Sequence, residues 1–216
     1  MRTFGWNDFL SLLYALQWTV ALVAIALAVG IPLGLLLALA RGHKRGWVRA
    51  ISIALLQLVQ GVPLLGLLMF FYFGMPVFLG VDVPALFAVS VAYVIYTATF
   101  LGQIWYGGIQ AVRHEQWEAA ACLGLSRWHQ FRHVIAPQAL RVALPPTMGF
   151  LVQLIKGTSL ASVLGFVELA RAGQLAAAAT FQPVRIYACV ALLYFILCLP
   201  LTLWARDLEG RIHGAH

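Results

Sequence analysis

Acid is what this chain has least of: seven Asp and Glu stand among 216 residues, and charged residues of both signs make up 10%, against roughly 25% in soluble domains. So little charge beside 62% hydrophobic residues excludes a soluble globular class and predicts an all-α integral membrane protein. Cysteine is scarce too. Cys122, Cys189 and Cys198 are too few and too badly spaced for a disulfide framework or a Cys-x-x-Cys metal site, and read as buried or small-residue fillers. The G-x-x-x-x-G-K-[ST] phosphate cradle is missing, so nucleotide is not bound by that route. G-x-S-x-G, H-E-x-x-H and paired carboxylates within the apolar runs are missing as well, and no catalytic residue is expected. His129 and His133 stand at i, i+4, but Arg127 and Arg132 beside them repel a cation and no third ligand is near; no metal site is expected. No repeat, low-complexity segment or linker divides the sequence, which reads as one transmembrane domain over 1–216.

Long apolar sequence is what the chain has instead. Runs of about 20 residues or more, enough to cross a bilayer, lie near residues 10–40, 50–73, 84–105, 138–164 and 184–205, which predicts five spans. The first exceeds the roughly 7–15 residues of a signal peptide's apolar core and is expected to stay uncleaved. Basic residues set the orientation. Arg41, Lys44, Arg45 and Arg49 crowd the first loop and Arg113, Arg127 and Arg132 the third, whereas the second, Gly74 to Pro84, holds Asp82 and no base. Loops one and three are therefore expected in the cytoplasm, the N-terminus outside, and the stretch from Arg206 to Arg211 inside. The fourth loop, about Gly165 to Arg185, then faces outward with Glu168, Arg171 and Arg185. The net charge of +7 is a topology signal, and nucleic acid is not expected as a partner.

Polar residues within hydrocarbon must face protein or water. In the third span Tyr96, Thr99, Gln103 and Tyr106 recur at i, i+3, i+7, i+10, on one inward helix face. Two roles are open to that face: a polar strip along a substrate path, or interhelical hydrogen bonding, worth about 0.6 kcal/mol per contact in membranes. In the second span Gln57 and Gln60 precede Gly61-Val62-Pro63. Pro63 cannot donate to the Val59 carbonyl, so a kink is expected, either for packing or to expose backbone carbonyls at a polar site. The fourth span ends in Lys156-Gly157-Thr158-Ser159-Leu160-Ala161-Ser162, its most polar stretch. A helix from Arg141 rises about 22 Å to Lys156, which places the lysine in the outer half of the bilayer. It either attracts a substrate carboxylate, or snorkels outward or pairs with Glu168. Thr158, Ser159 and Ser162 have a packing role open to them as small residues.

Between the third and fourth spans, residues 113–137 are polar and helix-forming. Glu118-Ala119-Ala120-Ala121-Cys122 predicts a short helix ended by Gly124 in the left-handed region. Ser126 caps a second helix with Trp128, Phe131 and Ile135 on one stripe, expected to lie in lipid at the interface. Pro137 is expected to end it. The alanine surface lets a partner's backbone approach closely, with Glu115 and Glu118 available for charged contacts.

This segment resembles the cytoplasmic signature of bacterial ABC-importer permeases: Glu-Ala-Ala, three residues, Gly, nine residues, Ile-x-Leu-Pro. Here it reads Glu118-Ala119-Ala120, Gly124 and Val134-Ile135-Ala136-Pro137, with Val134 for Ile and Ala136 for Leu. The likeness extends to Gln17-Trp18-Thr19, Gln60-Gly61-Val62-Pro63, Gly107-Gly108-Ile109-Gln110, Pro137-Gln138-Ala139-Leu140-Arg141 and Lys156 through Ser162, which are similar to the polar amino-acid importer permeases. The resemblance implies a type I, MetI-like permease of five transmembrane helices, multi-pass in the bacterial cytoplasmic (inner) membrane. It implies a cytoplasmic coupling helix between spans 3 and 4, at Glu118, Ala119, Ala120, Gly124, Leu125 and Pro137, seated on an ABC ATPase. The substrate pathway would draw on Gln60, Tyr96, Thr99, Gln103, Lys156, Thr158 and Ser159. Partners implied are an ATPase subunit dimer, a second permease subunit, identical or similar, an extracytoplasmic solute-binding protein and membrane lipid. No cofactor is bound by this chain; ATP and Mg belong to the ATPase. Many relatives have charged residues where Gln60, Gln103, Tyr106 and Gly157 stand, so a neutral or acidic amino acid is favoured as cargo. An opine, a compatible solute or a sulfur amino acid are alternatives within the same architecture. A passive channel is the alternative of another class, and has no use for a coupling loop.

Overall fold

The computed structural model describes residues 4–213; residues 1–3 and 214–216 of the domain expected over 1–216 lie outside it, as do the side chains of residues 211–213. The helices are α1 (Trp6–Arg41), α2 (Gly46–Gln60), α3 (Leu64–Leu79), α4 (Ala85–Ala111), α5 (His114–Cys122), α6 (Arg127–His129), α7 (Ala136–Gly157), α8 (Leu169–Thr180) and α9 (Pro183–His213). α6 passes through a π-helical stretch, Gln130–Ile135, into α7, and α7 passes into a 3-10 stretch, Thr158–Leu164. Among the described residues there is no strand, which agrees with the all-α expectation.

Among the described residues, four helical runs are long and apolar enough to cross a membrane: Trp6–Arg41, Ala85–Ala111, Arg127–Leu164 and Pro183–Gly210. α2 and α3 make a fifth crossing only if they count as one span, and they meet at 98°. The kink expected at Pro63 is thus a full break. The Gly61 amide closes α2 on the Gln57 carbonyl at 2.9 Å, and Pro63, extended at φ −57°, ψ 140°, opens α3, where its missing N–H costs nothing.

α4 is the central element, packed against α1, α2, α3 and α7. Its seam with α1 is made of small residues: Ala26, Gly30, Gly34 and Ala38 of α1 are buried at four-residue spacing. A Cβ on Gly30 would stand 2.7 Å from Thr97 Cγ2, and one on Gly34 would stand 3.0 Å from the Ala98 carbonyl oxygen. Small residues let helix backbones approach where lipid supplies no hydrophobic drive. The main core gathers Leu22, Leu68, Val89, Tyr93, Phe150 and Leu154 around this seam.

The fourth loop departs most from expectation. Within the loop expected over about 165–185, the chain turns at Gly165 and forms α8, whose Leu169, Ala172, Gly173, Ala176 and Thr180 are buried. They pack with Leu12 and Ala15 of α1 and with Ile186 and Val190 of α9. Glu168 is fully buried. Its carboxylate caps α8, accepting from the Ala170 amide at 2.9 Å and the Arg171 amide at 2.8 Å. The signal was present in the sequence as an acid at the N-cap followed by apolar residues at helical spacing, in a stretch too short to span.

Candidate functional site

α5 ends in a complete left-handed cap. Gly124 has φ +72°, its amide reaches the Ala121 carbonyl at 2.9 Å, and the Leu125 amide reaches the Ala120 carbonyl at 3.3 Å, the paired bonds of a Schellman motif. A Cβ on Gly124 would meet no atom within 4 Å, so backbone conformation and not space demands glycine. Ala120 is buried, whereas Glu118, Ala119, Ala121, Cys122 and Leu123 are exposed, Leu123 by 78%. Of the two readings open to the cysteines, burial does not hold for Cys122, which stands on the open face of α5. Ser126 caps the next helix as expected, accepting from the His129 amide at 3.4 Å. Glu118 lies 3.1 Å from His114 Nδ1, and Glu115 lies 3.4 Å from Arg113 Nε. Its own backbone amide and then the Arg113 guanidinium hold the Glu115 carboxyl below the usual carboxylate range.

Two expectations about this loop are corrected. Phe131 and Ile135 do not lie in lipid: Ile135 is fully buried, and both pack with Ile109 of α4, Val112 just beyond it, Trp117 of α5 and Ala139 of α7. Only Trp128, 62% exposed, leaves the stripe. The reason is Trp117, an aromatic on α5 that offers these side chains a protein partner. Pro137 does not end a helix either. It sits in the first turn of α7, where proline is tolerated because the first amides lack helical acceptors, and the π-helical stretch before it carries the chain through unbroken. Gln138 reinforces the junction, donating to Gln116 Oε1 at 3.3 Å. α5 is thereby fixed to the C-terminal end of α4 and the N-terminal end of α7.

The polar strip of α4 divides. Tyr96 and Thr99 are buried and engaged across helices: Gln153 of α7 donates to the Tyr96 hydroxyl at 2.9 Å, and Gln60 of α2 donates to the Thr99 carbonyl at 3.2 Å. The Thr99 hydroxyl turns back to its own helix, at 2.9 Å from the Tyr96 carbonyl. Gln103 and Tyr106, further along α4, meet Arg41 of α1, which donates to Gln103 Oε1 and lies 4.6 Å from the Tyr106 ring centre. Arg41 and Gln153 were not legible as partners, since nothing local in sequence pairs them with α4.

Lys156 is exposed on a groove of about 660 Å³ between α7 and α9, shared with Ser159, Tyr194, Cys198, Thr202 and Arg206. Thr158 is turned away from that groove, buried and donating to the Ile155 carbonyl at 2.7 Å. Lys156 makes no ion pair with Glu168. That carboxylate is already engaged by the Tyr194 hydroxyl at 2.7 Å and the Thr19 hydroxyl at 3.5 Å, besides the α8 amides. Among the described residues no group of three or more His, Cys, Asp or Glu could hold a metal ion.

The arrangement matches known proteins along nearly its whole length. Residues 30–214 match the model of a family described as binding-protein-dependent transport system inner membrane component. The glutamine transport system permease protein GlnP of Escherichia coli (strain K12) is 33% identical over 96% of this chain and 95% of its own. The probable amino-acid ABC transporter permease protein YckA of Bacillus subtilis (strain 168) is 31% identical over 90% and 85%. The octopine transport system permease protein OccM of Rhizobium meliloti is 30% identical over 90% and 82%. Among solved structures, an amino acid ABC transporter crystallised with histidines aligns at TM-score 0.87 and 27% identity, covering 97% of this chain and 100% of that one. A chain of the inward-facing MetNI methionine ABC transporter aligns at 0.76 and 17%, covering 96% and 99%, a likeness of fold.

Proposed function

This chain belongs to the binding-protein-dependent transport system inner membrane components, and from that premise we propose that it forms the translocation pathway of an ATP-driven amino-acid importer, together with a second permease subunit. Amino-acid permeases among its relatives support this reading, and so does the architecture of α5. The observation that carries it is a short, exposed, alanine-faced helix fixed by Trp117, Phe131 and Ile135 to the inner ends of α4 and α7. A push on α5 therefore reaches two membrane helices at once. ATP hydrolysis takes place on a separate ATPase dimer that seats α5, with Glu118, Ala119, Ala120, Gly124 and Leu125 at the contact. An extracytoplasmic solute-binding protein delivers the cargo, a neutral or acidic amino acid. The orientation has the N-terminus outside and five crossings, with α2 and α3 as one bent span. Gln60, Tyr96 and Thr99 on one side, and Lys156 and Ser159 on the other, line the path.

Co-expression with the neighbouring genes, purification in detergent and assay of ATP hydrolysis with a binding protein loaded from an amino-acid panel tests the reading. Stimulation by one loaded ligand is expected and identifies the cargo. A chain that purifies alone, without any ATPase, would sink it.

A further inference from the structure

A groove of about 570 Å³ opens where α1, α4 and α5 come together. Leu39 of α1 and Tyr106 and Ile109 of α4 line it, none more than five residues, roughly 8 Å, from the C-terminal ends of two helices long and apolar enough to cross a membrane. The groove therefore straddles the edge of the hydrocarbon layer. Trp117 and Phe131 line it too, and both belong to the packing that fixes α5. Its rim is polar, with Gly42, Gln110, Arg113 and His114 all exposed. Apolar walls beneath a polar rim at the membrane boundary fit an amphiphile.

Charge sets the sign of its head. Residues 41–49 hold Arg41, Lys44, Arg45 and Arg49 and no acid, and Gly42 brings that stretch to the groove. Arg41 lies 4.6 Å from the centre of the Tyr106 ring, so a cation stands against the aromatic side chain of one wall. Arg113 meets Glu115 and His114 meets Glu118, but these four side chains are 66–83% exposed. Surface pairs of this kind contribute little, so an incoming phosphate exchanges readily for the carboxylate, and a guanidinium fork suits phosphate oxygens. Glu118, Ala119, Ala120, Gly124 and Leu125 do not line the groove, so an occupant here does not compete for the face of α5 assigned above to the ATPase. We propose that the groove seats one anionic phospholipid, its phosphate on Arg113 beside the 41–49 stretch and an acyl chain along Leu39 and Ile109. Bases near a membrane surface attract acidic lipid diffusely; the groove adds a place for a single molecule. The site does not depend on the importer reading.

Native mass spectrometry of the detergent-purified complex that contains the full chain tests it, with dioleoyl phosphatidylglycerol or dioleoyl phosphatidylcholine added at equal concentration. The phosphatidylglycerol adduct is expected to be at least fivefold more abundant. Arg113→Gln should abolish that preference, whereas Arg49→Gln, which removes the same charge from an exposed position outside the groove, should leave it within a factor of two. Equal retention of the two lipids overturns the proposal, and is the result expected if a segment of the ATPase fills the groove instead. An Arg113→Gln complex that keeps the preference also overturns it, as does an equal loss in both variants, which would reduce the effect to diffuse surface attraction. Displacement of phosphatidylglycerol by millimolar inorganic phosphate would make a soluble anion the ligand and overturn the lipid assignment; retention in its presence supports it.

Discussion

Two residues show how differently a single position can be specified. Gly124 is required by its backbone, since φ of +72° costs any L side chain roughly 1 kcal/mol or more and a β-branched one the most. Gly124→Val is therefore expected to unwind the end of α5 and leave the bundle intact. ATP hydrolysis by the assembled complex should continue while amino-acid uptake falls at least tenfold, and parallel assays in proteoliposomes would show it; uptake at the parent rate would remove this turn from coupling. The Glu-Ala-Ala and Gly spacing made this residue legible, because the signal is local. Glu168 was legible as an N-cap but its burial was not, because its partners Thr19 and Tyr194 lie on other helices and only folding shows that the acid points inward. Glu168→Ala deletes an N-cap, worth about 1 kcal/mol, and orphans a buried hydroxyl, worth about 1–3 kcal/mol. A clear drop in the unfolding temperature of the detergent-purified chain is expected, with Glu168→Gln losing less.

At the scale of elements, long apolar helices were readable from composition and spacing, and the small-residue seam of α1 was not, because alanine and glycine in a hydrophobic run look like filler. The seam makes a prediction. Gly34→Leu would drive a side chain into the Ala98 carbonyl and the Leu101 Cβ, which lie 3.0 and 3.1 Å from an added Cβ. Overpacking of this kind costs about 1–3 kcal/mol, and the variant should lose folded yield in a fluorescence-detected size-exclusion profile. Phe131 tests the opposite contact. Sequence periodicity gave its stripe correctly but could not say whether lipid or Trp117 covers it, since both are apolar. Phe131→Ala loosens the wedge between α5, the C-terminal end of α4 and the N-terminal end of α7. The expected result is ATPase subunits that still co-purify and hydrolyse ATP with uptake reduced; undiminished uptake would show that the wedge transmits nothing.

For the molecule as a whole, the positive-inside pattern predicts α5 in the cytoplasm, and Cys122 offers a native reporter of it. It is the exposed one of the three free cysteines. A membrane-impermeant maleimide is expected to leave Cys122 unlabelled in right-side-out spheroplasts, to label it in inverted vesicles stripped of ATPase, and to be blocked again when the ATPase is restored. Labelling from the outside would invert the topology. The break at Pro63 and the descent of α8 into the bundle also belong to this scale: both are tertiary solutions to short or interrupted apolar stretches, which no window of hydropathy resolves. The Glu168 anchor, finally, has a consequence for how the chain is made. Thr19 enters the membrane early, and its partner is 149 residues away, roughly 10–30 s of synthesis at ordinary elongation rates. Throughout that interval the hydroxyl waits among apolar neighbours, and Tyr194 arrives later still. The bundle is therefore sealed only by its last helix, so a nascent chain stalled before Tyr194 carries a buried acid without one of its donors. Such a fragment is a substrate for membrane proteolysis rather than a half-working subunit.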